Sequence, residues 1–142
     1  MIMKVLFDTN VIIDALTERD LTYRHSKELV RYVISGAIKG FITAKQITDL
    51  YYIARNYFST EMSRRQFIKL VVNTFEVIPT TKSDIVYCLN SKMKDLEDAL
   101  IDEVYSVNCI DYLVTNNAKD FEGAKSVIIT PEQLVTILEV NQ

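Results

Sequence analysis

The sequence predicts an α/β domain built on a mostly parallel sheet. Short apolar runs of strand length alternate along the chain with longer segments of helical spacing, the pattern of successive strand–helix units. No internal repeat, low-complexity tract or linker rich in Pro, Gly or Ser interrupts that alternation. The chain has 142 residues, 49% of them hydrophobic and 25% charged, and is expected to form one domain, residues 1–142, around a substantial core.

Each element has its own justification. Met3–Phe7 is a short apolar run that reads as a buried strand, followed by a short helix over Val11–Leu16. "TERDLTYR" is a polar break, and Tyr23–Ser35 has helical spacing (Leu29, Val30, Val33, Ile34) stopped by Gly36. Gly40–Thr43 is the second strand, and Ala44–Tyr57 is a helix with Ile47, Leu50, Tyr51, Ala54 and Phe58 on one side. Ser63 is a plausible N-cap for a helix carrying Phe67, Leu70, Val71 and Phe75. Glu76–Ile78 is a third strand closed by Pro79; Ser83–Leu89 and Leu96–Val107 are helices. Asp111–Thr115 is the fourth strand and Val127–Ile129 the fifth. The closing helix has Thr130 as N-cap, Pro131 at its first position and Glu132 in its first turn.

Composition excludes several classes of function. No apolar run approaches the roughly 18 residues of a membrane helix, and the first residues do not form a signal peptide, so no membrane role and a cytoplasmic location are expected. Cys88 and Cys109 are too few and too far apart for a disulfide framework or a zinc site, and both fall in apolar helical context as small buried hydrophobes. The single histidine, His25, sits among polar residues on a helix and reads as solvent-facing. There is no Gly-rich phosphate loop, no Cys or His cluster and no serine elbow. The 8 Tyr and 6 Phe could stack on bases, but most have the spacing of helical core residues. A formal net charge of −3 means that any basic surface for nucleic acid must be local.

The candidate chemistry lies in the carboxylates. Open parallel sheets bind ligands outside the carboxyl ends of their strands. Asp8 ends the first strand, and Thr115, Asn116 and Asn117 end the fourth. Asp49 lies on the helix after the second strand; Asp95, Glu97 and Asp98 open the helix before the fourth; Asp120 follows in the loop "TNNAKDF". Carboxylates converging on one sheet edge repel one another and tend to stay protonated unless a cation compensates. A hard divalent cation with oxygen ligands, Mg²⁺ or Mn²⁺, meets that need, and such ions activate water and clamp phosphoryl oxygens. Each residue also has a plainer reading. Asp8 could N-cap the helix that follows it, and Asp49 could pair with Lys45 four residues earlier. Asp95, Glu97 and Asp98 could complement a helix dipole, and Asp120 could be a turn residue.

The order "LFDTN", "ITDLYYIARNY", "DLEDALI" and "LVTNNAKDF" resembles the PIN domain family, with a match running from Val5 to "VIITPEQLV". The resemblance implies a three-layer α/β/α fold with a central parallel five-stranded sheet, and a Mg²⁺- or Mn²⁺-dependent endoribonuclease acting on RNA. It also implies a toxin of a toxin–antitoxin pair, partnered by an antitoxin protein and dimeric. By position, Asp8 and Asp98 match the family's first and third acids, and Asp49 stands where the second falls, a place more often Glu. Thr9 and Asn10 match the small polar residues that orient the first acid, and Thr115 matches the hydroxyl residue ending the fourth strand. Many relatives carry Asp where this chain has Asn117, with Asp120 three residues on as the alternative fourth ligand. Lys45 and Arg55 are the expected phosphate-tracking groups. A catalytically silent module binding RNA or protein, and a small nucleotide phosphohydrolase, are the competing readings.

Overall fold

The structure, a computed structural model, describes residues 1–18 and 23–141. Its strands are β1 (Met3–Phe7), β2 (Ile38–Thr43), β3 (Glu76–Ile78), β4 (Tyr112–Val114) and β5 (Ile128–Ile129). Its helices are α1 (Thr9–Thr17), α2 (Tyr23–Ser35), α3 (Ala44–Ala54), α4 (Glu61–Thr74), α5 (Lys82–Cys88), α6 (Leu96–Val107) and α7 (Pro131–Val140), with a 3-10 turn over Ala118–Phe121. The five strands form one sheet in the order β3-β2-β1-β4-β5, and every neighbouring pair is parallel.

The alternation of side chains along β1 explains the three layers. Val5 and Phe7 face one side of the sheet, packed with α1, α2, α3, α4 and α7 residues such as Ile12, Leu29, Leu50, Val71 and Leu134. Leu6 faces the other, packed with Leu100, Ile101, Val104, Met93 and Phe121 around α6. Val5, Leu6 and Phe7 are all fully buried, as a strand covered on both faces must be. The expected α/β/α architecture with a parallel five-stranded sheet is therefore present. Asp102, buried in α6, accepts from the backbone N–H groups of Lys125 and Ser126 and so pins the loop that leads into β5.

Gly40, in the middle of β2, has no room for a side chain: a Cβ there would come within 2.8 Å of the Phe75 ring and 2.9 Å of Val33 Cγ2. Phe75 in turn meets the Phe7 ring edge-on at 5.0 Å, so it cannot retreat without disturbing the central strand. Gly40→Ala is expected to cost about 1–3 kcal/mol through overpacking, measured as a lowered urea midpoint. An unchanged midpoint would show that the Phe75 ring and Val33 give way to the added methyl group.

Several local expectations shift. Helix α4 starts three residues earlier than Ser63 suggests: Thr60 is the N-cap, and Ser63 is the reciprocating member of its capping box. Likewise Thr81 caps α5 with Asp84, so that helix runs Lys82–Cys88 rather than from Ser83. Helix α3 ends at Ala54, short of Tyr57, and β2 begins at Ile38, ahead of Gly40. Gly36 does end α2, with φ of +82°. Cys88 is buried, but Cys109 is exposed and left-handed just past α6. His25 is half-buried rather than solvent-facing. The break "TERDLTYR" includes residues 19–22, which lie outside the described residues. Among the described residues no helix is long and apolar enough to cross a membrane.

Candidate active site

Strand order reverses at β1: the chain moves outward from β1 through β2 to β3, then returns to place β4 on the other side. A crevice opens at such a switch point, outside the carboxyl ends of the two strands. Asp8 and Thr115 stand at its two lips. The Asp8 N–H donates to the Val114 carbonyl (3.0 Å), closing the β1–β4 ladder. Thr115, fully buried, donates from Oγ1 to Asp8 Oδ2 at 2.7 Å and accepts the Asn117 N–H at 3.0 Å. Asp8 occupies the N-cap position of α1, yet its side chain makes no capping hydrogen bond. The helix-cap reading of Asp8 therefore does not hold. Its carboxyl is 8% exposed, and burial raises its pKa above the ordinary value despite the Thr115 hydroxyl, with the charges of Asp120 and Asp14 adding to the rise.

Five of the sequence-predicted acids line one cleft: Asp8, Asp49, Glu97, Asp98 and Asp120. Asp98 enters from the first turn of α6, and its carboxyl is pushed up to about 7. Burial is the largest cause, followed by the negative charges of Asp95, Asp8, Asp120 and Glu97. Asp95 itself is spent on structure: it N-caps α6, accepting the Asp98 N–H at 3.0 Å. Asp120 comes from the 3-10 turn, whose Phe121 is anchored in the α6-side core. Asn117 is exposed and outside the cleft lining.

Lys45 also lines the cleft, but its ammonium bridges Asp49 at 2.7 Å and Glu97 at 2.8 Å. Burial works against that charge; the hydrogen bonds to the two carboxylates outweigh it and raise its pKa. The helical ion pair read as the plainer role of Asp49 is thus formed, and Lys45 is occupied by acids. Arg55 is exposed at the rim, its guanidinium 5.1 Å from the ring centre of Tyr52, which lines the cleft. Thr9 and Asn10 line the cleft floor beside Asp8.

Sequence reading missed two supports. Gln46 is buried in the first turn of α3; its Nε2 donates to the Phe7 carbonyl (2.8 Å) and to Thr9 Oγ1 (3.1 Å), while Oε1 accepts the Thr43 N–H. One amide thereby ties the ends of β1 and β2 together. The Thr43-x-x-Gln46 spacing marks a capping box, but nothing in it shows the second half of the network. Asp14, buried in α1, accepts from Asn116 Nδ2 at 3.0 Å and holds the segment after β4 against that helix.

The donor chemistry suits a hard divalent cation: oxygen ligands only, negatively charged, with burial and then mutual repulsion raising two of their pKa values. Among the described residues no three acidic, His or Cys side chains converge into a ready-made cage. Mg²⁺ does not require one, because it keeps several waters and is held through one or two carboxylates. Asp8 and Asp98 fit that role, with Asp120 and Asp49 beside them. Asp120→Asn is expected to weaken Mn²⁺ binding about 10-fold or more, whereas Asn117→Ala leaves it near the wild-type value. Calorimetric titration of the two variants checks this, and the reverse order would return the fourth position to Asn117.

A sequence profile of the PIN domain matches residues 4–119. Ribonuclease VapC1 of Aquifex aeolicus (strain VF5) is 27% identical over 135 residues, covering 92% of this chain and 92% of that protein. VapBC2 from Rickettsia felis, solved bound to a DNA fragment from their promoter, superposes with a TM-score of 0.66 at 17% identity over 92% of this chain and 98% of the other. FitAB bound to an IR36 DNA fragment superposes with a TM-score of 0.71 at 13% identity over 89% of this chain and 94% of the other. At these identities the two structures speak for the fold alone. The profile spans most of the chain and runs from β1 to the turn after β4, and on that match the chain belongs to the PIN domain family.

Proposed function

We propose that this chain is a Mg²⁺- or Mn²⁺-dependent endoribonuclease hydrolysing RNA phosphodiesters. The observation that carries the reading is the convergence of Asp8, Asp49, Asp98 and Asp120 on one cleft at the switch point of the sheet. The relative named as a ribonuclease, similar over nearly its whole length, supports it. Asp8 and Asp98 would hold the ion, which when bound supplies an activated water and neutralises charge on the phosphate. Thr115 fixes the Asp8 carboxylate, and Gln46 fixes the strand end that carries it. Lys45 positions Asp49 and Glu97 rather than tracking phosphate, which leaves Arg55 at the rim as the nearer candidate.

The toxin role, an antitoxin partner, a homodimer, a cytoplasmic setting and a single functional unit over residues 1–142 complete the proposal, on the strength of the family. A cleft with surplus carboxylates suits a basic segment, so an antitoxin would direct Arg or Lys towards Asp8 and Asp98. One observation favours a second reading, a PIN module that binds without cutting: Asp49 and Glu97 are already bridged by Lys45, which offsets one of their two charges. Incubation of the chain with single-stranded RNA, with Mn²⁺ or with EDTA, beside a small phosphate monoester, separates these readings. Mn²⁺-dependent RNA cleavage is expected. RNA binding with no cleavage would establish the silent module, and turnover of the monoester alone would establish a phosphohydrolase.

A further inference from the structure

A second groove opens off the acidic cleft, sharing Asp98 and Asp120 with it and lined beyond them by Lys92, Lys94, Lys119, Asp95, Glu122 and Gly123. All three lysines are exposed, and among the described residues none makes an ion pair or a hydrogen bond through its ammonium. Four of the other lysines are engaged: Lys27 with Glu18, Lys39 with Glu76, Lys45 with two acids and Lys125 with the Tyr87 hydroxyl. Three unpaired cations in this groove, set among the carboxylates of Asp95, Asp98, Asp120 and Glu122, are the ammonium groups free to meet a polyanion beside the cleft in a chain of overall charge −3.

The backbone segments that carry the lysines are held in place. Lys92 and Lys94 flank Met93, which is buried, and Lys119 stands two residues before Phe121, also buried. Met93 and Phe121 belong to the same apolar cluster under α6. Two separate segments are thus anchored into one core, which fixes the backbone on both sides of one groove while the lysine side chains stay exposed.

We propose that this groove is the track for the phosphate backbone of single-stranded RNA flanking the bond held in the cleft, an inference that rests on the ribonuclease reading. Each ammonium neutralises one phosphate without reading a base. The track therefore adds affinity for long substrates and no sequence preference.

The test measures binding of a labelled single-stranded RNA of roughly a dozen nucleotides in EDTA over a salt series. It compares wild type, a Lys92→Gln, Lys94→Gln, Lys119→Gln variant and the matching Lys→Arg variant. Single strands lose about 0.7 in the slope of log K against log salt for each phosphate contact. The Gln variant is therefore expected to flatten that slope by about 2 and the Arg variant to keep it. Mn²⁺-dependent cleavage of a dinucleotide, too short to reach the groove, is expected to be unchanged in the Gln variant. Wild-type affinity and slope in the Gln variant would overturn the track while leaving ribonuclease activity standing, and loss of dinucleotide cleavage would overturn it by assigning the lysines to the cleft. A glutamate-rich peptide binding wild type as tightly as the RNA would overturn it in favour of a protein ligand. Binding with the expected slopes but no cleavage by wild type would sink the ribonuclease reading and leave the track in place.

Discussion

Asp98→Asn is expected to reduce RNA cleavage by at least about 10²–10³-fold, the scale for losing one preorganised charge at a reacting phosphate, while stabilising the metal-free protein at neutral and alkaline pH. The two effects have one origin. The Asp98 carboxyl is pushed from 3.8 to about 7 by burial and by the neighbouring Asp95, Asp8, Asp120 and Glu97. A group whose folded pKa lies above its unfolded one binds its proton more tightly in the folded state. Its contribution to stability is therefore fully present below about pH 4 and is lost as pH rises through about 7. The half-buried setting lets solvent screen part of the effect. Asparagine keeps the shape and removes the titration, so the variant's advantage over wild type should grow between pH 4 and 7 and then level off. Urea midpoints in EDTA at several pH values read this directly. A constant difference between the two proteins across that range would show that Asp98 is neither desolvated nor repelled by its neighbours.

Mn²⁺ is expected to raise the melting temperature of wild type on the order of 10 °C at a hundredfold excess over its dissociation constant. A ligand bound only by the folded state contributes RT ln(1 + [L]/Kd), about 2.7 kcal/mol at that excess, and a domain of this length converts each kcal/mol into several degrees. Asp8→Ala should retain only a small part of the shift, because Asp8 is the acid most rigidly placed: it ends the central strand, is almost fully buried and is fixed by the Thr115 hydroxyl. Equal shifts in the two proteins would mean that the ion acts on the surface at large.

The frame of the fold was legible because each strand carries a short apolar run, even where a charged residue such as Lys4, Lys39 or Glu76 stands in it. Val5, Leu6 and Phe7, covered on both faces, form an unbroken apolar run and Lys4 is the strand's one charged residue, so Met3–Phe7 is read at its true bounds. Thr130 and Pro131 mark α7 equally well, since a hydroxyl cap and a proline at the first position both fit only a helix start. Ser63 misled because Thr60 and Ser63 are both good caps three residues apart, and the sequence does not say which accepts from the other. Cys109 misled because its left-handed backbone is set by the end of α6 and not by its own chemistry.

The site divides the same way. Asp8 and Asp98 are fixed by the strand and helix ends that carry them, and the sequence places those ends. Asp49 was placed correctly on its helix, but its partner across the cleft, Glu97, is 48 positions away in the chain, and only the folded geometry puts Lys45 between them. Gln46 and Asp14 were invisible for a related reason: each acts by reaching a backbone or amide group contributed by a different element.

The central claim is that the cleft acids bind a divalent ion as a unit, and the most direct measurement is calorimetric titration of Mn²⁺ into wild type and into the Asp8→Asn, Asp98→Asn double variant, both shown to be folded by circular dichroism. The account predicts saturable binding to wild type and at least about a hundredfold weaker binding to the double variant, at the upper end of what losing even an outer-shell partner costs a metal site. Indistinguishable isotherms for the two proteins would contradict it.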